Sequence, residues 1–137
     1  MGPGARVSGV EHDRLCAVAV DLAVEFGVDV WLWPDSRRVS QKGWPDLTFV
    51  GLGGIIAREV KTGSAKPTRD QRRVGYLLIA NRISWSIWRE DDFASGRVRD
   101  EINRIARLCG GFVNGAQILH GKFPRRPYQG GHIWARN

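Results

Sequence analysis

Cysteine is scarce: Cys16 and Cys109 are the whole complement of a 137-residue chain. Two isolated thiols exclude a disulfide framework and fit a reducing compartment. Histidine is nearly as thin, and His12, His120 and His132 show no zinc-site spacing with the cysteines. Long apolar runs are missing. The longest, around Leu15 to Val24, is broken by Asp21, and a membrane span needs roughly 20 apolar residues. The opening Met-Gly-Pro-Gly-Ala-Arg lacks the apolar core of a secretion signal. A cytoplasmic location is the expectation. No Gly-Lys-Ser/Thr phosphate loop occurs, so no nucleotide cofactor is expected. Gly51-x-Gly53-Gly54 has no helix behind it and is not a dinucleotide fingerprint.

Acidic residues are absent from one stretch, and that absence locates the charge. The chain carries 21 Lys and Arg against 14 Asp and Glu, a formal net of +7. Residues 1–45 hold 5 basic and 6 acidic groups, residues 46–109 hold 12 and 8, and residues 110–137 hold 4 and none. The excess therefore lies in the middle and the C-terminal stretch. That last stretch interleaves Phe123, Tyr128 and Trp134 with Lys122, Arg125 and Arg126. Such an arm can follow a phosphate backbone and stack on unpaired bases, or it can pack a few aromatics onto the domain. With 42% hydrophobic and 26% charged residues the rest is an ordinary globular composition. We expect a core over 1–109 and a basic arm over 110–137.

Local patterns order the elements. Ser8 with Glu11 reads as a capping box opening a helix through Phe26, apolar on more than one face and stopped by Gly27. Val28 to Trp33 reads as a strand and residues 34–45 as a basic loop with Arg37, Arg38 and Lys42. Asp46 to Gly51 and Ile55 to Lys61 form a hairpin about Gly53-Gly54. Thr68 caps a helix to about Ala80, with Gln71 at the third position. Ile83 to Arg89 is a strand, Asp91 to Gly96 a turn, and Arg97 to Leu108 a helix stopped by Gly110. The order is αβββαβα, an α/β fold with helices flanking a central sheet.

The hairpin gives one spacing chemical meaning. Asp46 opens one strand and Glu59 lies near the end of its antiparallel partner, so the two carboxylates meet at one sheet end. Glu59 and Lys61, two residues apart, share a face. Adjacent carboxylates repel unless a cation sits between them. Their oxygens suit Mg²⁺ or Mn²⁺, which can polarise a phosphoryl oxygen and lower the pKa of bound water. Lys61 can then hold the scissile phosphate or the attacking water. The plain alternative is a surface Glu59–Lys61 ion pair beside a turn aspartate.

Gly43-Trp44-Pro45-Asp46-Leu47, Glu59-Val60-Lys61 and Thr68-Arg69-Asp70-Gln71 resemble the PD-(D/E)xK nucleases. Within that superfamily the chain is most similar to the VRR-NUC domain, the virus-type replication-repair nuclease, over about residues 8–108. The resemblance implies a restriction-endonuclease-like core and Mg²⁺-dependent (or Mn²⁺-dependent) cleavage of DNA leaving a 5′-phosphate. It implies Asp46 and Glu59 as metal ligands, with the Val60 carbonyl as a third oxygen. Lys61 would be the catalytic lysine and Gln71 would lie beside the site. Glu11 matches an acidic residue that often completes such sites, although Glu11 and Gln71 could each simply cap a helix. Arg37, Arg38, Lys42, Lys66, Lys122, Arg125 and Arg126 are candidate DNA contacts, and Trp44 and Trp134 candidate base-stacking residues. Stand-alone phage-type relatives resemble Holliday-junction resolvases. A branched substrate, a homodimer with two sites, and a bacterial or phage-infected cell are the corresponding expectations. A monomeric flap or nicking nuclease, a non-catalytic DNA-binding module, and an accessory protein that binds a replication partner through its arm are the alternatives.

Overall fold

A computed structural model describes residues 3–33 and 42–107. Its elements are α1 (Pro3–Phe26), β1 (Asp29–Leu32), β2 (Leu47–Gly51), β3 (Gly54–Val60), α2 (Arg69–Ala80), β4 (Ser84–Trp88), α3 (Glu90–Ala94) and α4 (Arg97–Ile105). The strands form one mixed sheet in the order β1-β2-β3-β4. The first three are antiparallel, and β4 runs parallel to β3. That parallel step requires a crossover, which α2 supplies. The α/β order read from the sequence is present, with one helix added.

The sheet divides two layers of unequal size. On one face Leu15, Cys16, Ala19 and Ala23 of α1 meet Val98, Ile102 and Ile105 of α4 over Val30, Leu47, Phe49, Ile56, Val60 and Trp88. On the other face Val74 and Leu78 of α2 cover Ala57, with Ile83 and Trp85 beside them. Strand β3 thus shows the expected alternation. Ile56, Arg58 and Val60 face the larger layer, while Ala57 and Glu59 face α2.

Arg58 is a charge inside that larger layer, only 3% exposed. Its Nε donates to Glu101 Oε2 at 2.9 Å, and its remaining nitrogens reach the Ala57 carbonyl and the Ser84 carbonyl and hydroxyl. Its guanidinium lies 5.5 Å from the centre of the Trp88 ring. A buried guanidinium needs this many acceptors, because an unpaired charge there would cost several kcal/mol.

Four sequence expectations are corrected. Ser8 is not a helix cap, because α1 already begins at Pro3, a residue suited to a first helical turn. The same helix buries a single stripe, and Val10 and Val24 face solvent. The hairpin turn is centred on Leu52-Gly53, since Gly51 pairs with Gly54. Its glycines serve close approach: a Cβ on Gly51 would lie 2.1 Å from the Ile105 carbonyl oxygen, and one on Gly53 2.2 Å from that of Arg107. Finally, Asp91 to Gly96 is not a turn, because Glu90–Ala94 forms α3. Three successive acidic residues sit in its first turn, where the helix dipole favours negative charge.

Candidate active site

The open end of the β2–β3 hairpin gathers the charged groups. Pro45 is buried and Asp46 follows it directly at the mouth of β2. Asp46 Oδ2 accepts the Val60 backbone N–H at 2.9 Å, a bond across the hairpin that fixes the carboxylate against β3. The same oxygen lies 3.1 Å from His12 Nε2 of α1. Glu59 is 1% exposed and turned to the α2 side. Its Oε1 accepts Gln71 Nε2 at 2.6 Å and has Lys61 Nζ at 3.7 Å. Its Oε2 is buried and has no hydrogen-bond partner among the described residues.

Gln71 satisfies both roles that the sequence allows it. Thr68 Oγ1 accepts the Gln71 N–H at 3.1 Å, and Gln71 Oε1 accepts the Thr68 N–H at 2.8 Å, a complete capping box. With its oxygen engaged by the cap, the amide NH₂ is forced toward Glu59. The cap thereby aims a donor at the site.

The loop carrying Lys61 is also held. Lys61 N–H donates to the Trp88 carbonyl at 3.0 Å, Arg89 donates to the Gly63 and Ala65 carbonyls, and Glu90 accepts the Gly63 N–H. Lys61 therefore enters the site from a backbone pinned to the end of β4.

The electrostatics follow from this crowding. Burial pushes the Glu59 carboxyl well above the usual carboxylate range, the negative charge of Asp46 pushes it further, and Lys61 and His12 pull back only in part. Burial would also raise Asp46, but hydrogen bonds from His12, Glu59 and the Val60 N–H, with the His12 charge, hold it below its ordinary value. The pair thus shares one proton, carried by Glu59. His12 is pushed up to about 11, first by its bond to Asp46 and then by Cys16. Its Nδ1 faces Asp13 Oδ1 at 3.2 Å, so both ring nitrogens meet carboxylates, as an imidazolium requires.

Of the residues proposed from sequence, Asp46, Glu59, Lys61, Gln71 and the Val60 backbone come together here. Glu11 does not join them: it pairs with Arg14 at 2.6 Å on the surface of α1. The residue of α1 that reaches the pair is its neighbour His12. Helical phase gives the signal for this. His12 extends the buried stripe of Leu15, Cys16, Ala19 and Ala23 by one turn, and Glu11 lies off it. Lys42 and Lys66 are exposed. Trp44 is 38% exposed, and its indole N–H donates to Thr48 Oγ1 at 3.1 Å. Arg37, Arg38, Lys122, Arg125, Arg126 and Trp134 lie outside the described residues.

No protein-family model matches the chain, and neither does any curated protein or solved structure. Among the described residues no helix is long and apolar enough to cross a membrane. Nor do three His, Cys, Asp or Glu side chains there form a ready-made metal cluster. The donor set is nonetheless suited to a hard divalent cation. Two carboxylates converge, and among the described residues the buried Glu59 Oε2 has no partner beyond the proton the pair shares, which a cation can replace.

Proposed function

We propose that this chain is a divalent-metal-dependent endonuclease that hydrolyses phosphodiester bonds in DNA, on a restriction-endonuclease-like core. The observation that carries the reading is the pairing of Asp46 with the buried Glu59 at the open end of a hairpin, with Lys61 alongside. The αβββαβ order, with a single parallel pair in the sheet, supports it, as does the Gln71 amide on Glu59.

Asp46, Glu59 and the Val60 carbonyl would hold Mg²⁺ or Mn²⁺, which when bound supplies Lewis-acid polarisation of a phosphoryl oxygen and a more acidic water. The chain's own groups do the rest. The Val60 N–H and His12 fix Asp46 by Oδ2, and Gln71 and Lys61 fix Glu59 by Oε1. The proton the two carboxylates share is the one a cation would displace. Lys61 Nζ places a positive charge at the edge of the carboxylate pair, where a scissile phosphate or an attacking water can be held.

A branched DNA substrate and a two-fold homodimer with two sites remain part of the proposal, on the resemblance alone. The test is incubation with labelled four-way junctions, flaps and linear duplex, with and without Mg²⁺ or Mn²⁺. Metal-dependent cutting, lost in Asp46→Ala and Lys61→Ala, is the expected result. Paired symmetric nicks from a protein of dimeric mass would support junction resolution, and a single nick from a monomer would support the flap reading. Failure to cut any DNA with either metal would sink the nuclease reading.

A further inference from the structure

The outward face of α2 carries a stripe that the site itself does not use. Val74, Gly75 and Leu78 face the sheet, and Asp70 and Gln71 lie at its margin. Arg69, Arg72, Arg73 and Tyr76 follow one another at i, i+3, i+4 and i+7, so they line one strip of the opposite surface. All of them are exposed, Tyr76 at 64%. Arg69 has no partner among the described residues. Arg72 gives one nitrogen to the Pro67 carbonyl at 2.9 Å. Arg73 makes only long contacts, 3.4 Å to the Lys42 carbonyl and 3.9 Å to Asp70. Most of the donors on these guanidiniums are unspent.

The other layer has the reverse character. Glu11, Asp13, Asp21 and Glu25 crowd α1, and Glu90, Asp91 and Asp92 open α3. Most of the arginines there are already paired: Arg14 with Glu11, Arg97 with Asp92 and Glu101, and Arg99 with Glu25, while Arg104 stands exposed at the end of α4. A polyanion is therefore drawn to the α2 side of the sheet and repelled from the α1 side.

We propose that the Arg69–Arg72–Arg73–Tyr76 strip is a phosphate-backbone contact surface, along which one strand of the nucleic acid runs as it leaves the site. The strip is anchored to the chemistry, because Gln71, one residue from Arg72, holds Glu59 at 2.6 Å. Seven residues of helix rise about 10 Å. That length spans about three phosphates at roughly 3.4 Å of duplex axis each. Arginine forks suit phosphate oxygens bidentately, and Tyr76 offers an amphipathic face at the far end. This inference rests on the nuclease reading for its choice of nucleic acid as the polyanion.

The test is fluorescence anisotropy of a labelled linear duplex and a labelled four-way junction over a NaCl series, with EDTA present to prevent cutting. Replacing Arg69, Arg72 and Arg73 together by alanine should flatten the slope of log affinity against log salt by up to about 2.7, and Arg69→Ala alone by about 0.9. Arg99→Ala, on the acidic layer, should leave the slope unchanged, and melting curves should show all variants folded. A slope unaltered in the triple variant, or altered equally by Arg99→Ala, overturns the strip. Failure of the wild-type protein to bind either DNA at any salt overturns the nucleic-acid reading, and the strip with it.

Discussion

His12 Nε2 stands 3.1 Å from Asp46 Oδ2, so the first helix meets the acidic pair with a histidine that balances its charge. In metal-free protein at about pH 6, His12→Ala should cost about 1–3 kcal/mol, the usual worth of a partly buried hydrogen bond to a charged group. The pH dependence has a definite sign. The folded-state pKa of His12 is raised to about 11 from 6.5, so its stabilisation is complete below 6.5 and drains away as pH rises toward 11. Glu59 is raised too and acts in the same direction. Urea melts in chelator should show stability falling from about pH 4.5 through Glu59 and more steeply above about pH 6.5 as His12 joins, the second fall being absent in His12→Ala. A flat profile in the wild type would contradict the charge arrangement.

Glu59→Gln should stabilise the metal-free protein near pH 8 while abolishing cleavage. An amide needs no proton to sit beside Asp46 and can still accept from Gln71. A rise of about 2–6 °C in melting temperature is expected, because a group strained for function is being relaxed. A melting temperature below wild type would show that Glu59 is not held against its charged form.

Binding of Mg²⁺ or Mn²⁺ should release protons, since the carboxylate pair carries one that the cation must displace. Isothermal titration near pH 7 in buffers of different ionisation enthalpy reads this directly, and about one proton is expected. Observed enthalpies independent of the buffer would mean that the cation binds elsewhere.

Much of this site could be read before the fold was known, because its pieces are local. Pro45-Asp46, the glycines at 51, 53 and 54, and the Thr68/Gln71 spacing punctuate the chain by rules that need no distant partner. The readings that failed depend on partners far away. The resemblance points to Glu11, whereas the phase of α1 against the start of β2, 34 residues on, selects His12. The turn at Leu52-Gly53 is set by the end of α4, to which Gly53 N–H donates at 2.8 Å. Nothing in the pattern of β3 announces that Arg58 is buried, since its acceptor Glu101 lies 43 positions further along the chain.

Arg58 and Glu101 form the buried ion pair of the larger layer, and breaking it from either side should be costly. Arg58→Ala should destabilise by about 3–5 kcal/mol, by leaving Glu101 partly buried without that partner. Exchanging both residues for apolar ones of similar size should recover much of the loss. Burial alone would raise Glu101, but the Arg58 charge and the bonds from Arg97, Arg58 and Trp88 hold it below its ordinary value. Its contribution is therefore present above about pH 4.5 and disappears as pH falls through the folded-state value. Acid unfolding followed by tryptophan fluorescence should begin at a higher pH in Arg58→Ala.

The single parallel pair in the sheet also sets a timetable. The β2–β3 hairpin closes over a short loop and can form early, whereas β4 joins β3 only after α2 has crossed over, and α1 docks from still further along the chain. Asp46 and Glu59 are therefore pressed together before His12 and Gln71 have arrived to relieve them. Their repulsion falls on the folding barrier itself, and refolding should speed up as pH falls toward 4.5, the ordinary value of the Glu59 carboxyl, where it begins to enter the hairpin already carrying its proton.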